Sequence, residues 1–280
     1  MTNNFLCFPE GKVKALTFSY DDGPKEDRQL VALFNKYNVK GTFNLNSSWL
    51  ERRENDPNEP GIRASEVKEL YKGHEVAVHA LTHPFLERLP VDRMAYEIVK
   101  DRENLEKFSG AMVRGMAYPF GTYNDDVVRV ARDAGIRYSR TVTTHHSFKI
   151  DRDWLRLPST CHQADEKLFE LAEQFANGSP MSNRWNIEGW IFYVWGHSYE
   201  FRTEEDWQRK ENFLKIVANR DDVWYATNIE IYNYITAYDS LEYTYEGDKV
   251  YNPSATDVWL RTPQGETFKI PSGETVILKK

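Results

Sequence analysis

Apolar positions along this chain follow two rhythms, one of period two and one of about 3.6 residues, and their order sets the expected fold. Val13, Ala15, Leu16, Phe18 and Tyr20 form a short apolar run stopped by Gly23-Pro24, which reads as a buried strand. Residues 26–37 then place Leu30, Leu33, Phe34 and Tyr37 at helical spacing, and residues 40–45, KGTFNL, read as the next strand. Residues 49–60, rich in Glu, Asn, Asp and Pro, are expected to be a surface loop. A helix over 64–71 and a strand in HEVAVHA complete a second unit. The alternation continues with helices at 91–108, 124–134, 166–176 and 204–218, and strands at 113–118, 136–142, 190–195 and 223–226. Thr203, followed by Glu204, Glu205 and Asp206, reads as the capped start of the last of these helices.

Repeated β-α order marks a parallel sheet wrapped by helices, closed as a barrel or open and doubly wound; periodicity does not separate the two. Beyond Tyr238 the pattern changes to short alternating stretches, LEYTYEG, DVWLRT, ETFKI and ETVIL, divided by turn residues. A barrel-like domain over 1–238 and a small antiparallel β appendage over 239–280 are therefore expected.

Composition narrows the classes. With 280 residues, 40% of them hydrophobic, the chain can bury a large core. A formal net charge of −7 and no basic stripe give no field to attract nucleic acid or an anionic membrane, so a neutral or small polar substrate is the expectation. The first residues, MTNNFLCFPEGKVK, lack a cationic stretch followed by an apolar run, and no later segment is apolar enough to span a bilayer, which makes the cytoplasm the expected compartment. Two cysteines, Cys7 and Cys161, make no disulfide framework and read as small packing residues.

Candidate chemistry gathers at strand ends. Asp21 and Asp22 close the first strand, and two adjacent carboxylates there point to a division of labour, one binding a metal and one moving protons. His79 and His83, in HALTH, also follow a predicted strand and are four apart, so on a helical turn both imidazoles face one way. Two His and one carboxylate with open positions form a catalytic rather than a structural metal site. The turn at Tyr118-Pro119-Phe120-Gly121 is placed to aim a backbone N–H at an oxyanion, and His197 ends WIFYVWGH at the same rim as a proton donor. His145, His146 and His162 are weaker candidates for lining the site or holding a second metal, and Trp49, Trp185 and Trp190 for stacking on a ring of the substrate.

The ordered set TFSYDDGP, HALTH, AYPFG, DRDW and VWGH, spread over residues 13–235, resembles the polysaccharide deacetylases, the metal-dependent de-N-acetylases of carbohydrate esterase family four. The resemblance implies a distorted (β/α)7-type barrel and hydrolysis of an N-acetyl amide on an oligo- or polysaccharide. It also implies one divalent metal, Zn2+ first, then Co2+, Ni2+ or Mn2+, held by Asp22, His79 and His83. Asp21 then corresponds to the general base, His197 to the general acid and the Phe120 amide to the oxyanion donor; Asp153, of DRDW, corresponds to the carboxylate that polarises the acid. Two departures stand out. An extra Tyr20 in the first motif raises the expectation of a bulge or register shift, and the family's base-orienting arginine falls at Ala117, leaving Arg114, Arg140 or Arg156 to replace it. The competing readings are an amide hydrolase of the same fold acting on a cyclic ureide or formamide, and a carbohydrate-binding barrel without turnover.

Overall fold

The structure, a computed structural model, describes residues 5–56, 58–182, 188–262 and 265–278. Its strands are β1 (Phe5–Cys7), β2 (Lys14–Asp21), β3 (Thr42–Leu45), β4 (Glu75–Val78), β5 (Gly115–Ala117), β6 (Tyr138–Thr144), β7 (Leu157–Ser159), β8 (Cys161–His162), β9 (Trp190–Gly196), β10 (Val223–Tyr225), β11 (Glu242–Tyr243), β12 (Lys249–Tyr251), β13 (Val258–Arg261), β14 (Thr267–Ile270) and β15 (Thr275–Ile277). The helices are α1 (Asp27–Lys36), α2 (Ser47–Asn55), α3 (Val67–Leu70), α4 (Val91–Ser109), α5 (Asp125–Asp133), α6 (Leu168–Asn177), α7 (Glu204–Val217) and α8 (Asn228–Asp239).

From β2 the parallel sheet runs through β3, β4, β5 and β6 to β7 on one side, and through β9 to β8 on the other. Thr160 alone separates β7 from β8. Because β7 pairs with β6 and β8 pairs with β9, this one extended stretch joins both ends of the sheet. Thr160 itself donates its N–H to Tyr193 O at 2.9 Å. The sheet is thus a barrel, with β10 added in parallel at the base of β2. Which of the two architectures the chain adopts is decided by this shared stretch, which pairs to one neighbour with its first half and to the other with its second.

Alternation along β2 sorts its residues by polarity. Leu16, Phe18 and Tyr20 face the helical shell with Leu30, Phe34 and Phe213, all fully buried or nearly so. Ser19 and Asp21 face the barrel interior, where Asn44 Nδ2 donates to Ser19 Oγ at 2.8 Å and to Asp21 Oδ1 at 2.8 Å. The register to β9 runs unbroken from Lys14↔Trp190 to Tyr20↔Gly196, so Tyr20 introduces no bulge; it is simply the outward residue of the strand.

Two helices depart from the expectation. The loop expected from residue 49 is instead α2 up to Asn55: Ser47 N, in its first turn, donates to the buried Asp101 carboxylate at 2.7 Å, an anchor invisible in a segment this polar. The region before Tyr238 holds α8, started by a capping box between Thr227 and Glu230. Its first residues seal the barrel floor: Thr17 Oγ1 donates to Asn228 Oδ1 at 2.8 Å, Asn228 Nδ2 to Tyr193 Oη at 2.5 Å, and Ile229 N to Glu75 at 2.9 Å. The strand ends lie at the opposite rim. The expected cap of α7 is present, Thr203 and Asp206 bonding each other's backbone.

The C-terminal strands form two antiparallel sheets, β11-β12-β15 and β1-β13-β14. The pairing of β1 with β13, Phe5↔Arg261 to Cys7↔Trp259, crosses the boundary expected near residue 238, and Trp259 N donates to Tyr234 Oη of α8 at 2.9 Å. Cys7 and Cys161 are buried free thiols. Among the described residues no helix is long and apolar enough to cross a membrane.

Candidate active site

β2, β4, β5 and β9 end at one rim, and the turns that follow them deliver the chemistry. Asp21 is the last residue of β2; Asp22 next to it adopts φ 79°, an uncommon left-handed geometry, and Gly23 adopts φ 57°. This kink turns Asp22 away from the strand's alternation, so two adjacent carboxylates share one cavity. His79 follows β4 directly. Ala80 and His83 are left-handed, φ 61° and φ 59°, so HALTH is a bend rather than the helical turn expected from its spacing. Asp101 fixes the start of that bend by accepting His79 N at 3.0 Å, and Asn46 Nδ2 donates to His79 O and Ala80 O.

The bend brings His79 Nε2 to 3.6 Å and His83 Nε2 to 3.7 Å from Asp22 Oδ1. Asp22 Oδ1 is buried and has no hydrogen-bond partner. His79 Nδ1 lies 2.8 Å from Ala117 O, which can only accept, so Nδ1 carries the proton and the Nε2 lone pair faces the cavity. Burial depresses His79 to about 4, and burial lowers His83 as well, so both rings are neutral at pH 7. Burial, then the charge of Asp21, pushes Asp22 up to about 6. Two neutral imidazole nitrogens around an orphaned carboxylate oxygen form a donor set that a divalent cation fits.

A second cluster, His162, His197 and Glu200, has similar spacing but different chemistry. Ala164 N donates to His162 Nδ1 at 3.1 Å, which leaves the ring proton on Nε2, 3.3 Å from Glu200 Oε1. That nitrogen is a hydrogen-bond donor to the carboxylate, not a free ligand.

Asp21 is 3% exposed. Arg140 Nη2, from β6, donates to its Oδ2, and Asn44 donates to Oδ1. Burial by itself would raise this carboxyl, but the charges of Arg140, His79 and His197 and the Arg140 hydrogen bond outweigh it and hold Asp21 at about 2. Of the three arginines weighed as replacements for the residue at Ala117, Arg140 reaches the carboxylate, whereas Arg156 pairs with Asp125 and Asp153 on the surface. His197 Nε2 stands 3.9 Å from Asp21 and 4.0 Å from Asp22, while its Nδ1 faces Glu200 Oε1 at 2.9 Å. Burial works against its charge, yet the hydrogen bond to Glu200 and the charges of Asp21, Asp22 and Glu200 prevail and raise its pKa.

Phe120 takes φ 57° in its turn, its ring stacked 4.0 Å from Phe85 and edge-on to His83 at 4.4 Å. Trp49 stacks on His83 at 5.6 Å, Trp190 packs against Phe148, and Trp185 lies outside the described residues. His145 and His146 pair with Asp151 and Asp165, away from Asp22.

Asp153 requires correction. It is 61% exposed and faces Arg156 at 3.6 Å; Glu200, three residues after His197 in the same turn, occupies the place at the imidazole expected of it. Asp153→Asn is therefore expected to change turnover by no more than about twofold, as for an exposed surface charge. Steady-state kinetics beside Glu200→Gln checks this. Glu200 and Asp101 were not legible because their partners come from turns and helix starts. Asn44 had a signal, since it pairs directly across from Asp21 on β3.

The sequence profile of the family described as polysaccharide deacetylase matches residues 9–139. The chain is 30% identical over 119 residues to the peptidoglycan-N-acetylmuramic acid deacetylase PdaC of Bacillus subtilis (strain 168), covering 42% of this chain and 24% of that protein. It is 27% identical over 146 residues to the chitooligosaccharide deacetylase of a Bradyrhizobium species (strain ANU 289), covering 51% and 60% respectively. The chain thus spans about a quarter of the length of the first relative and 60% of the second, less than two thirds of either. Among solved structures, a candidate polysaccharide deacetylase from Mycobacterium smegmatis superposes with a TM-score of 0.59 at 18% identity, covering 84% of this chain and 94% of that one. A pseudoenzyme of carbohydrate esterase family four from Bacillus anthracis gives 0.51 at 20% identity, covering 81% and 68%. These likenesses carry the fold. Residues 9–139, a little under half of the chain, match the polysaccharide deacetylase domain, in agreement with the order of the motifs.

Proposed function

We propose that this chain is a metal-dependent hydrolase that removes acetyl groups from N-acetylated sugars of an oligo- or polysaccharide. The observation that carries this reading is the orphaned Asp22 Oδ1 facing the Nε2 atoms of His79 and His83, with an ionised Asp21 and His197 at its side. Asp22, His79 and His83 would hold one divalent cation, Zn2+ first, with Co2+, Ni2+ or Mn2+ also suited to two nitrogens and an oxygen. When bound, the cation supplies Lewis acidity toward the acetyl oxygen and toward water.

The chain's own groups do the rest. Asp21, kept ionised by Arg140, takes the proton of the attacking water. The Phe120 amide donates to the developing oxyanion. His197, protonated through Glu200 and the two aspartates, gives its Nε2 proton to the sugar nitrogen, which would otherwise depart as an amide anion.

Acetate release from N-acetylated oligosaccharides supports the reading if it is lost on chelation and restored by Zn2+ or Co2+; none from the reloaded protein rejects it. The pH profile follows from the same groups. Turnover should fall on the alkaline side as His197 loses its proton, above the ordinary imidazole value because its pKa is raised. On the acid side it should fall as protons compete with the cation for Asp22, His79 and His83, before Asp21 is protonated near 2. A rate flat from about pH 5 to about pH 9 would contradict both assignments.

A further inference from the structure

His197 sits in a turn, and a turn residue needs outside support to hold an imidazole in one tautomer and one orientation. Its support is a chain of side chains that crosses the barrel wall. Tyr20 Oη donates to Gln163 Oε1 at 2.6 Å; Gln163 Nε2 donates to Glu200 Oε2 at 2.5 Å and to His197 O at 2.8 Å. Glu200 Oε1 in turn accepts from His197 Nδ1 at 2.9 Å and lies 3.3 Å from the protonated Nε2 of His162. Tyr20 is fully buried and Gln163 is 6% exposed, so the chain is rooted in the helical shell rather than in solvent. Gly196 makes room for it: a Cβ there would meet Gln163 Cδ at 2.5 Å.

We propose that Glu200 is the positioning carboxylate of His197, locked in place by the Tyr20–Gln163 pair, and that the extra tyrosine of the first motif is the root of this lock. The inference rests on the deacetylase reading, in which His197 is the acid. When the C–N bond breaks, its electron pair stays on the nitrogen and the Nε2 proton of His197 moves to it. Nδ1–H remains on the ring, and Glu200 stays ionised throughout. The hydrogen bonds from His162, His197 and Gln163 overcome the burial of Glu200 and hold its carboxyl well below the usual carboxylate range, so it does not compete for that proton. The lock thereby separates two demands on the imidazole: Nδ1 always donates inward, and Nε2 always presents its proton to the cavity.

The leaving group provides the test. An amine needs protonation to depart, whereas nitrophenolate leaves unaided, so a defect confined to the acid strikes an acetamide and spares an aryl ester. On the zinc-loaded full chain, Glu200→Gln should lower kcat for tetra-N-acetylchitotetraose by about 10- to 100-fold, with 4-nitrophenyl acetate hydrolysis changed by less than about threefold. Tyr20→Phe should show the same selectivity with a smaller loss. Equal loss on both substrates, or no loss on the acetamide, overturns the proposal. A readout without turnover is the imidazole proton spectrum: a strongly downfield His197 Nδ1–H in the native chain that moves upfield in Glu200→Gln. Its absence from the native chain, or no movement, also overturns it. If the native chain hydrolyses neither substrate while this signal behaves as expected, the deacetylase reading fails and the lock stands.

Discussion

Asp22→Asn should leave a folded protein that no longer retains a divalent cation and turns over at least about a thousandfold more slowly. Asparagine keeps the shape but removes the charge of the orphaned oxygen between His79 and His83. The two neutral imidazoles then have no anion to complete the set. The fold should not suffer, because the substitution also removes the repulsion between the adjacent Asp21 and Asp22 carboxylates that contributes to raising Asp22 to about 6. Three measurements separate the effects. Metal content after dialysis against Zn2+ should fall from about one equivalent to near none. Added Zn2+ should raise the melting temperature of the native chain but not of the variant. Unfolding without metal should be as favourable or slightly less favourable in the variant. A variant that keeps both its cation and its turnover would remove the basis for the metal site.

Arg140→Met should have the largest effect on stability. Arg140 is 1% exposed, donates to Asp21 and Ser19 and lies 4.3 Å over the Trp195 ring. Removing it leaves Asp21 buried and ionised without its main partner, a loss of about 3–5 kcal/mol for a broken buried pair. The pH dependence fixes the sign. In the native chain Asp21 is depressed from its ordinary 3.8 to about 2, so its contribution is present above the ordinary value and lost as pH falls through about 2. Without Arg140, burial is opposed only by the histidines and the Asn44 hydrogen bond, and the carboxyl pKa rises. A raised carboxyl costs stability at neutral pH and is relieved on acidification. The gap between native and variant unfolding free energies should therefore be largest near neutral pH and narrow toward about pH 4. The double variant Arg140→Met/Asp21→Asn should recover part of the loss. A gap that does not change with pH would mean that Arg140 supports the barrel through packing on Trp195 rather than through Asp21.

Much of this protein was readable along the chain because the information is local. Apolar runs stopped by Gly-Pro or followed by His gave β2, β4 and β9, and the period of 3.6 residues gave α1, α4, α5, α6 and α7. Residues ending parallel strands must emerge at one rim, so Asp21, Asp22, His79 and His197 could be grouped before their distances were known. Sequence pattern failed where a partner distant in the chain supplied the energy. α2 lacks an apolar face strong enough to announce itself and is held at its first turn by Asp101, 54 residues away. β1 forms because β13 pairs with it.

The two carboxylate assignments at the imidazole show the same division. Asp153 resembles the motif residue, but its side chain is exposed beside Arg156, whereas Glu200 follows His197 and faces its Nδ1. Arg140 could be named only as one of three candidates, because an inward-facing arginine on β6 looks like any other until the barrel closes around it. What the sequence determined by itself was most strands of the parallel sheet, most helices and the residue types at the rim, since period and turn chemistry act over a few neighbours. What the tertiary structure decided was closure through Thr160, the bend that sets His79 and His83 around Asp22, and which charged side chains orient Asp21 and His197. Those depend on hydrogen bonds and buried charges between segments far apart in the chain, whose strength comes from the low-dielectric interior that only the closed barrel creates.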